Sequence, residues 1–268
     1  MTNIESLKTN IQFINNTLED LEKDIQQYQK DIEKLTNENI NLKKELNNLT
    51  TLENKNIKSL NIFTNISHFN KYVEELYNVQ KWNIKSSSYK DRAETLKNYS
   101  YWNILKEQFT SKKLTHWNIS NEQMVSFFDT MHLMYIMLNS FNNDDIKNNM
   151  IIIQEYQIET LNKPRIDYLL AYRNNIVLLE FGKSNNYLSL AKDTSKKQQQ
   201  LNGYETSIKS TLVDSDTISV MSIPIIYLSE DDEQNIESNN NTISDAVKKI
   251  NKMLLKNKNA FEQLQLAE

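Results

Sequence analysis

Asp167, Glu180 and Lys183 stand close together in the stretch Lys163–Tyr204, KPRIDYLLAYRNNIVLLEFGKSNNYLSLAKDTSKKQQQLNGY. Two carboxylates and a lysine are side chains with which a protein can fix a divalent cation against a phosphate and orient water beside it. The apolar runs around them decide whether they meet. Ile166–Tyr172 and Ile176–Phe181 are rich in Ile, Leu, Val and Tyr, follow Pro164, and are separated by Arg173-Asn174-Asn175, whose asparagines tolerate positive φ. This pattern predicts a buried β-hairpin. With Asn174-Asn175 as a two-residue turn, Ala171 faces Leu178 and Leu169 faces Glu180, so Asp167 shares the face of Glu180 on the diagonal. Carboxylates that converge from an apolar sheet must be protonated, paired or bound to a cation.

Lys183 comes one residue late for that face. A Glu-x-Lys tripeptide keeps both side chains together, whereas Glu180-Phe181-Gly182-Lys183 turns the lysine away, and a β-bulge at Gly182 is the expected remedy. Asn185–Leu212 then reads as a helix on which Gln200 and Tyr204, four residues apart, share a face. Lys192, Lys196 and Lys197 lie near them, a basic surface that either contacts phosphates or is simply solvated. Gly203 costs a helix interior roughly 1 kcal/mol relative to Ala, which implies a close approach there by substrate backbone or a neighbouring strand.

In their order and spacing, Asp167, Glu180, the lysine after it and the Gln200-Leu201-Asn202-Gly203-Tyr204 helix resemble the PD-(D/E)XK nuclease superfamily. The Gln-x-x-x-Tyr element is similar to that of RecB-type nucleases. The resemblance covers roughly Met150–Leu228 and implies a restriction-endonuclease-like α/β domain, a mixed sheet flanked by helices, acting on DNA or RNA. It further implies that Asp167 and Glu180 hold Mg²⁺ (or Mn²⁺) with help from the Phe181 carbonyl. Lys183 would orient or activate the attacking water, and Gln200 and Tyr204 would line the nucleic-acid side, with Lys196 and Lys197 the cations nearest to them. The family's lysine usually follows two residues after the glutamate, and here it follows three. Three readings stay open: a metal-dependent nuclease, a nuclease fold that binds or scaffolds without catalysis, and a purely structural coiled-coil protein whose carboxyl domain is a spacer.

Composition narrows the classes further. The 268 residues suffice for one large or two modest domains. Without cysteine there is no disulfide framework, Cys-based zinc site or thiol nucleophile. Two glycines cannot supply a phosphate-binding loop or a dinucleotide fingerprint. His68, His116 and His132 have no partners at ligand spacing, which removes a histidine metal site or a Ser-His-Asp triad. A formal net charge of -4 argues against a dedicated nucleic-acid coat protein, although a local basic patch serves a nuclease. No apolar run approaches the ~20 residues of a membrane span, and the first residues lack a secretory pattern. The expected location is intracellular, cytoplasmic or nuclear, with no membrane partner.

The rest of the chain must position these residues. Over residues 1–50 apolar side chains recur in steps of three and four, with Ile4, Ile11, Leu18, Ile25, Ile32 and Leu46 at a, Asn39 interrupting them, and mostly leucine at d. Ile at a, Leu at d and one buried Asn predict a parallel dimeric coiled coil, and so a homodimer. Residues 51–149 form a second region, opening with a polar linker over 51–59. Because no Gly or Pro precedes Pro164, that half is predicted to be helical throughout. Its aromatics, among them Tyr77, Trp82, Tyr101, Trp102 and Trp117, either fill contacts between helices or offer stacking platforms for bases. Ser120–Phe141 reads as a buried helix capped by Ser120 with Gln123, and its Glu122 is a further candidate acid. Residues 150–268 are the nuclease-like α/β domain. Met150–Glu159 is a strand whose Glu155 either reaches the metal or is a surface charge, and Ile218–Leu228 is a strand in which Pro224 marks an edge or a bulge. Glu230–Asn241, with Asp231, Asp232 and Glu233, reads as a solvated acidic loop, and Thr242–Leu266 as a closing amphipathic helix.

Overall fold

A computed structural model describes residues 2–53, 59–111, 119–158, 164–211 and 218–256. Its contacts divide the chain into two units, Met1–Lys55 and Asn56–Glu268. The first is one helix, α1 (Thr2–Glu53), of 52 residues, about 78 Å at 1.5 Å per residue. Its a and d side chains from Ile4 to Leu35 are 52–65% exposed, an apolar stripe that nothing in its own unit covers. The side chains of Leu42, Leu46 and Leu49 lie outside the described residues, as do His116, Trp117 and the last turns expected up to Leu266.

The second unit opens with β1 (Asn61–Phe63), α2 (Ile66–Leu76), α3 (Tyr89–Leu96), α4 (Ser100–Ser111), α5 (Asn121–Asn139) and α6 (Asp144–Asn149). It continues with β2 (Ile151–Gln157), β3 (Arg165–Tyr172), β4 (Asn175–Lys183), α7 (Leu190–Thr211), β5 (Ser219–Tyr227) and α8 (Glu233–Lys256). The strands make one five-stranded sheet in the order β1-β2-β3-β4-β5. Pairing is antiparallel up to β4, which then pairs in parallel with β5 through the α7 crossover. The chain is thus α/β, with a mixed sheet flanked by helices and a long helix at its amino end. No helix among the described residues is long and apolar enough to cross a membrane.

β1 corrects the expectation of an all-helical first half. Asn61 donates from its side chain to Gln154 at 3.0 Å, and Phe63 packs edge-on against Phe69, so this short segment is held on the sheet by β2 and α2. The helical segment and the α/β segment, separated at residues 149 and 150 by their sequence character, therefore belong to one unit. α5 is its central helix. Ser120 and Gln123 form the capping box, and Met124, Phe128, Met131, Met134 and Leu138 are fully buried, each contributing roughly 1.5–3 kcal/mol. The aromatics before it mostly fill this core: Phe63, Phe69, Tyr77 and Trp102 are buried. α5 also carries Asp129, which accepts hydrogen bonds from Arg92 of α3 at 2.7 and 2.6 Å and from the Trp82 indole at 3.0 Å.

Alternation along the strands sends side chains into two cores. Tyr168, Leu170, Val177, Leu179 and Phe181 join the large one with α5 and α8, while Ile153, Leu169 and Leu178 meet Leu201 and Ile208 of α7 in the smaller one. β5 is an edge strand, where the missing N–H of Pro224 is tolerated. α8 begins nine residues before the expected Thr242, at Glu233. Asn239 is the reason: buried, it accepts from Leu228 N at 2.8 Å and donates to Leu228 O at 3.0 Å, tying the helix to the end of β5.

The hairpin turn also differs by one residue. Tyr172 pairs with Asn175, so Arg173-Asn174 forms the turn and Ala171 faces Ile176 instead of Leu178. Asn175 is buried within β4 and its side chain donates to Tyr172 O at 3.3 Å, which leaves Arg173 to take the positive φ of 52°. An ion pair at 2.8 Å from Arg173 to Asp145 fixes that strained corner.

Candidate active site

The altered register brings the two acids closer together than the sequence predicts. β3–β4 pairing ends at Tyr168–Leu179, and one further step sets Asp167 directly opposite Glu180 rather than on the diagonal. The backbone closes around them: Phe181 N donates to Asp167 Oδ2 at 2.8 Å, and Asp167 N lies 3.4 Å from Glu180 Oε1. On the other side, the pairs Gln154–Tyr168 and Tyr156–Ile166 place Glu155 opposite Asp167. Glu155, Asp167 and Glu180 therefore form a row across three adjacent strands.

Of the two alternatives for Glu155, the surface charge is excluded, because the residue is only 3% exposed. Its φ of 53° marks where β2 leaves regular geometry, and Tyr156 and Ile158 beyond it both pack into the smaller core. Only the β2–β3 register reveals its membership of the row, and no local signal in the sequence fixes that register.

Two cations face the row. Lys197 of α7 places Nζ 2.8 Å from Glu180 Oε2, and Arg165 Nη1 lies 3.3 Å from Glu155 Oε2. Three carboxylates against two cations leave one negative charge uncompensated among these five side chains when all are ionised, so the row takes up a proton or a cation. The acids respond accordingly. Burial and then the neighbouring Asp167 push Glu180 up to about 8, despite Lys197. Burial raises Asp167 as well, and burial with the Asp167 charge raises Glu155 well above the ordinary carboxylate range, outweighing Arg165. For Lys197 burial works against the charge, yet Glu180 and Asp167 outweigh it and hold the pKa above its usual value.

The Lys183 ammonium does not face the carboxylate row. The β4–β5 register runs unbroken from Glu180–Pro224 to Lys183–Tyr227, without the bulge expected at Gly182. Strict alternation then sends Lys183 to the opposite face, where Nζ donates to Lys85 O at 2.6 Å and lies 5.3 Å from the centre of the Tyr89 ring. Gly182 has a different purpose: a Cβ there would stand 2.9 Å from Ile226 Cδ1 and 3.4 Å from Lys197 Cε. The missing side chain makes room for the stem of Lys197, and the lysine beside the acids comes from the helix.

Gln200 and Tyr204 do meet, with Gln200 Nε2 donating to the Tyr204 hydroxyl at 2.5 Å. Burial raises the Tyr204 pKa, the Gln200 bond opposes this, and the Glu180 charge adds to it. Gln200, Gly182, Lys183, Lys196 and Lys197 line a cleft of about 380 Å³ beside the row. Gly203 departs from expectation, since a Cβ there meets nothing within 4 Å. The remaining candidates serve elsewhere. Glu122 is exposed in the first turn of α5. Asp231 accepts from Ser86 N at 2.6 Å, and Asp232 accepts from Asn235 N at 2.8 Å at the start of α8. His132 is buried with Nε2 3.8 Å from Glu230, and His68 Nδ1 lies 3.4 Å from Thr64.

Among the described residues, no three His, Cys, Asp or Glu side chains are gathered as a ready-made metal-ligand set. The Asp167–Glu180 pair is the donor set that remains. Two hard oxygen donors fit Mg²⁺, which usually takes one or two carboxylates and fills its octahedron with water and phosphate oxygens. Comparison of the chain with models of known protein families finds no match, and comparison with curated protein sequences finds none.

Proposed function

We propose that the α/β part of the second unit is a metal-dependent nuclease of the PD-(D/E)XK type, hydrolysing phosphodiester bonds in DNA or RNA, and that α1 joins two copies as a parallel coiled coil. One observation supports the chemistry above all others: two facing carboxylates share an over-charged buried row, with an ammonium 2.8 Å from Glu180. Asp167 and Glu180 hold Mg²⁺ or Mn²⁺ in this reading. The Phe181 carbonyl assists them, since within a strand it points to the same side as the N–H that Asp167 accepts from. A divalent ion there supplies Lewis acidity and a lowered pKa for bound water.

The protein's own groups do the rest. Lys197, kept protonated by its two acidic neighbours, is a poor general base. Its role is to orient the attacking water and offset charge at the phosphate, the role the resemblance gives to Lys183. Gln200 and Lys196 line the cleft along which the substrate backbone approaches. Cleavage of labelled DNA and RNA with Mg²⁺ or Mn²⁺ tests this. Wild type should cut, and Asp167→Ala and Glu180→Ala should each lose roughly a thousand-fold or more, the scale of removing a group that stabilises transition-state charge. Activity surviving in both variants would sink the assignment.

The exposed heptad stripe of α1 supports the dimer, because a lone helix cannot bury an apolar seam of that length. Leu18→Glu should convert a sedimenting dimer to a monomer. A second reading is an inactive nuclease fold that binds or scaffolds. It is favoured by the internal partners the acids already have, Lys197 for Glu180 and Phe181 N for Asp167, and a wild type without cleavage on any nucleic acid selects it.

A further inference from the structure

Three clefts on the second unit share their walls. The first, about 380 Å³ beside the carboxylate row, is lined by Lys183, Lys196 and Lys197 among others. The second, about 230 Å³, is lined by Ser86–Ser88, Tyr89, Lys183 and Asn185. The third, about 540 Å³, is lined by Lys81, Trp82, Lys85, Ser87, Tyr99 and Tyr101. Lys183 belongs to the first two and Ser87 to the last two, so the clefts adjoin in series, and the Lys183–Lys85 O bond clamps the middle of the run. The chemistry changes along it from cations and carboxylates, through exposed hydroxyls, to aromatic faces.

The aromatic end is anchored at Trp82. Trp82 is anchored through its indole N–H to Asp129, and the Arg92 guanidinium, itself fixed by two bonds to Asp129, stands 5.7 Å over its ring. Tyr99 stacks on Tyr101 with centroids 5.2 Å apart and planes 7° apart, yet stays 50% exposed. The Tyr99 ring thus has a stacked partner in Tyr101 and still exposes half of its surface. A half-exposed aromatic ring already stacked on a neighbour suits an unstacked nucleobase, because the stacked partner lowers the ordering cost of a further stack. Three acids along the run have serine partners: Asp91 accepts from Ser88 Oγ at 2.7 Å, Asp193 from Ser184 Oγ at 2.6 Å and Asp231 from Ser86 N at 2.6 Å.

We propose that this run of clefts is a track for an unpaired nucleic-acid strand, with phosphates passing Lys183 and Ser87 and a splayed base seated on Tyr99. The proposal takes its reactive end from the nuclease reading and adds the substrate class, single-stranded rather than duplex. A duplex keeps its bases stacked inside and cannot offer one to Tyr99. It also gives Lys183 a role that the carboxylate row does not.

The test is anisotropy of labelled twelve-nucleotide oligo(dT) and oligo(U) with the full chain carrying Glu180→Gln, in EDTA, where nothing is cut. Tyr99→Ala should weaken binding about five- to a hundred-fold, the worth of one stacked base, and Tyr99→Phe should restore it. Lys183→Ala should weaken binding and reduce the slope of log affinity against log salt by about one. A duplex of equal length should bind at least ten-fold less tightly than the better of the two strands. Unchanged binding in Tyr99→Ala, a duplex that binds as well, or no binding of either oligonucleotide overturns the track. Tyr99-dependent binding without any cleavage by wild type and Mg²⁺ or Mn²⁺ supports the track and removes the nuclease reading. Cleavage with Tyr99-independent binding does the reverse.

Discussion

Arg92 and Asp129 meet as one cation and one anion, through hydrogen bonds of 2.7 and 2.6 Å with the Trp82 indole adding a third, and no charge is left over. Glu155, Asp167 and Glu180 meet as three anions over Lys197 and Arg165, and Glu180 is driven up to about 8 as a result. Both clusters hold buried carboxylates, Asp129 in one and Glu155 and Glu180 in the other, so burial of an acid does not by itself separate them. Balance does. The Arg92–Asp129 pair joins α3 to α5 and resists change because each partner needs the other. The carboxylate row is held at a cost that a proton or a divalent ion relieves, and sites that shift pKa values in this way are where chemistry concentrates.

The comparison can be broken at either end. Arg92→Ala leaves Asp129 buried without its cation and should cost about 3–5 kcal/mol of stability by denaturant titration. A loss below about 1 kcal/mol would mean that this pair contributes no more than an exposed one. Next in size, Lys197→Ala should lower kcat for cleavage roughly 10²–10³-fold, while Lys183→Ala lowers it less than ten-fold and acts mainly on KM. The opposite ranking would return the catalytic role to the strand lysine.

The smaller effects concern protons. Folded Glu180 holds its proton up to about 8, against 4.5 for the ordinary side chain. Its contribution to stability is therefore complete below about pH 4.5 and is lost as pH rises to about 8. Glu155 and Asp167, also raised, act in the same direction. Glu180→Gln should then stabilise the metal-free protein by about 1 kcal/mol or more above pH 8, and make it less sensitive to pH than wild type. Equal pH profiles for the two proteins would show that Glu180 ionises normally. Mn²⁺ should raise the Tm of wild type more at about pH 8 than at about pH 6, since it binds the ionised pair, and should leave Glu180→Gln nearly unmoved.

Much of the site was legible in the residues. The strand-turn-strand pattern and the placing of Asp167 and Glu180 on one face follow from period-two alternation, and the Gln200–Tyr204 pair follows from the four-residue helical repeat. The register was not legible. Asn174 and Asn175 are equally good turn residues, and Asn175 enters β4 because its buried side chain has Tyr172 O to bond, a contact that exists only once the hairpin has formed. In the sequence Lys197 is one of three similar helix lysines, and nothing local singles it out. The one hint was Gly182, whose absent side chain clears a path for it.

The sequence by itself determined the heptad stripe of α1, the capped α5, the hairpin and its two acids, since each depends on the periodicity or pairing of neighbours a few residues apart. Only the tertiary structure decided that Glu155 joins the acids, that Lys197 rather than Lys183 faces them, and that Arg92 neutralises Asp129. Those outcomes depend on how α7 lies across β4, how β2 registers against β3 and how α3 packs on α5. Such long-range contacts are selected by the burial of whole faces, which spacing along the chain does not specify.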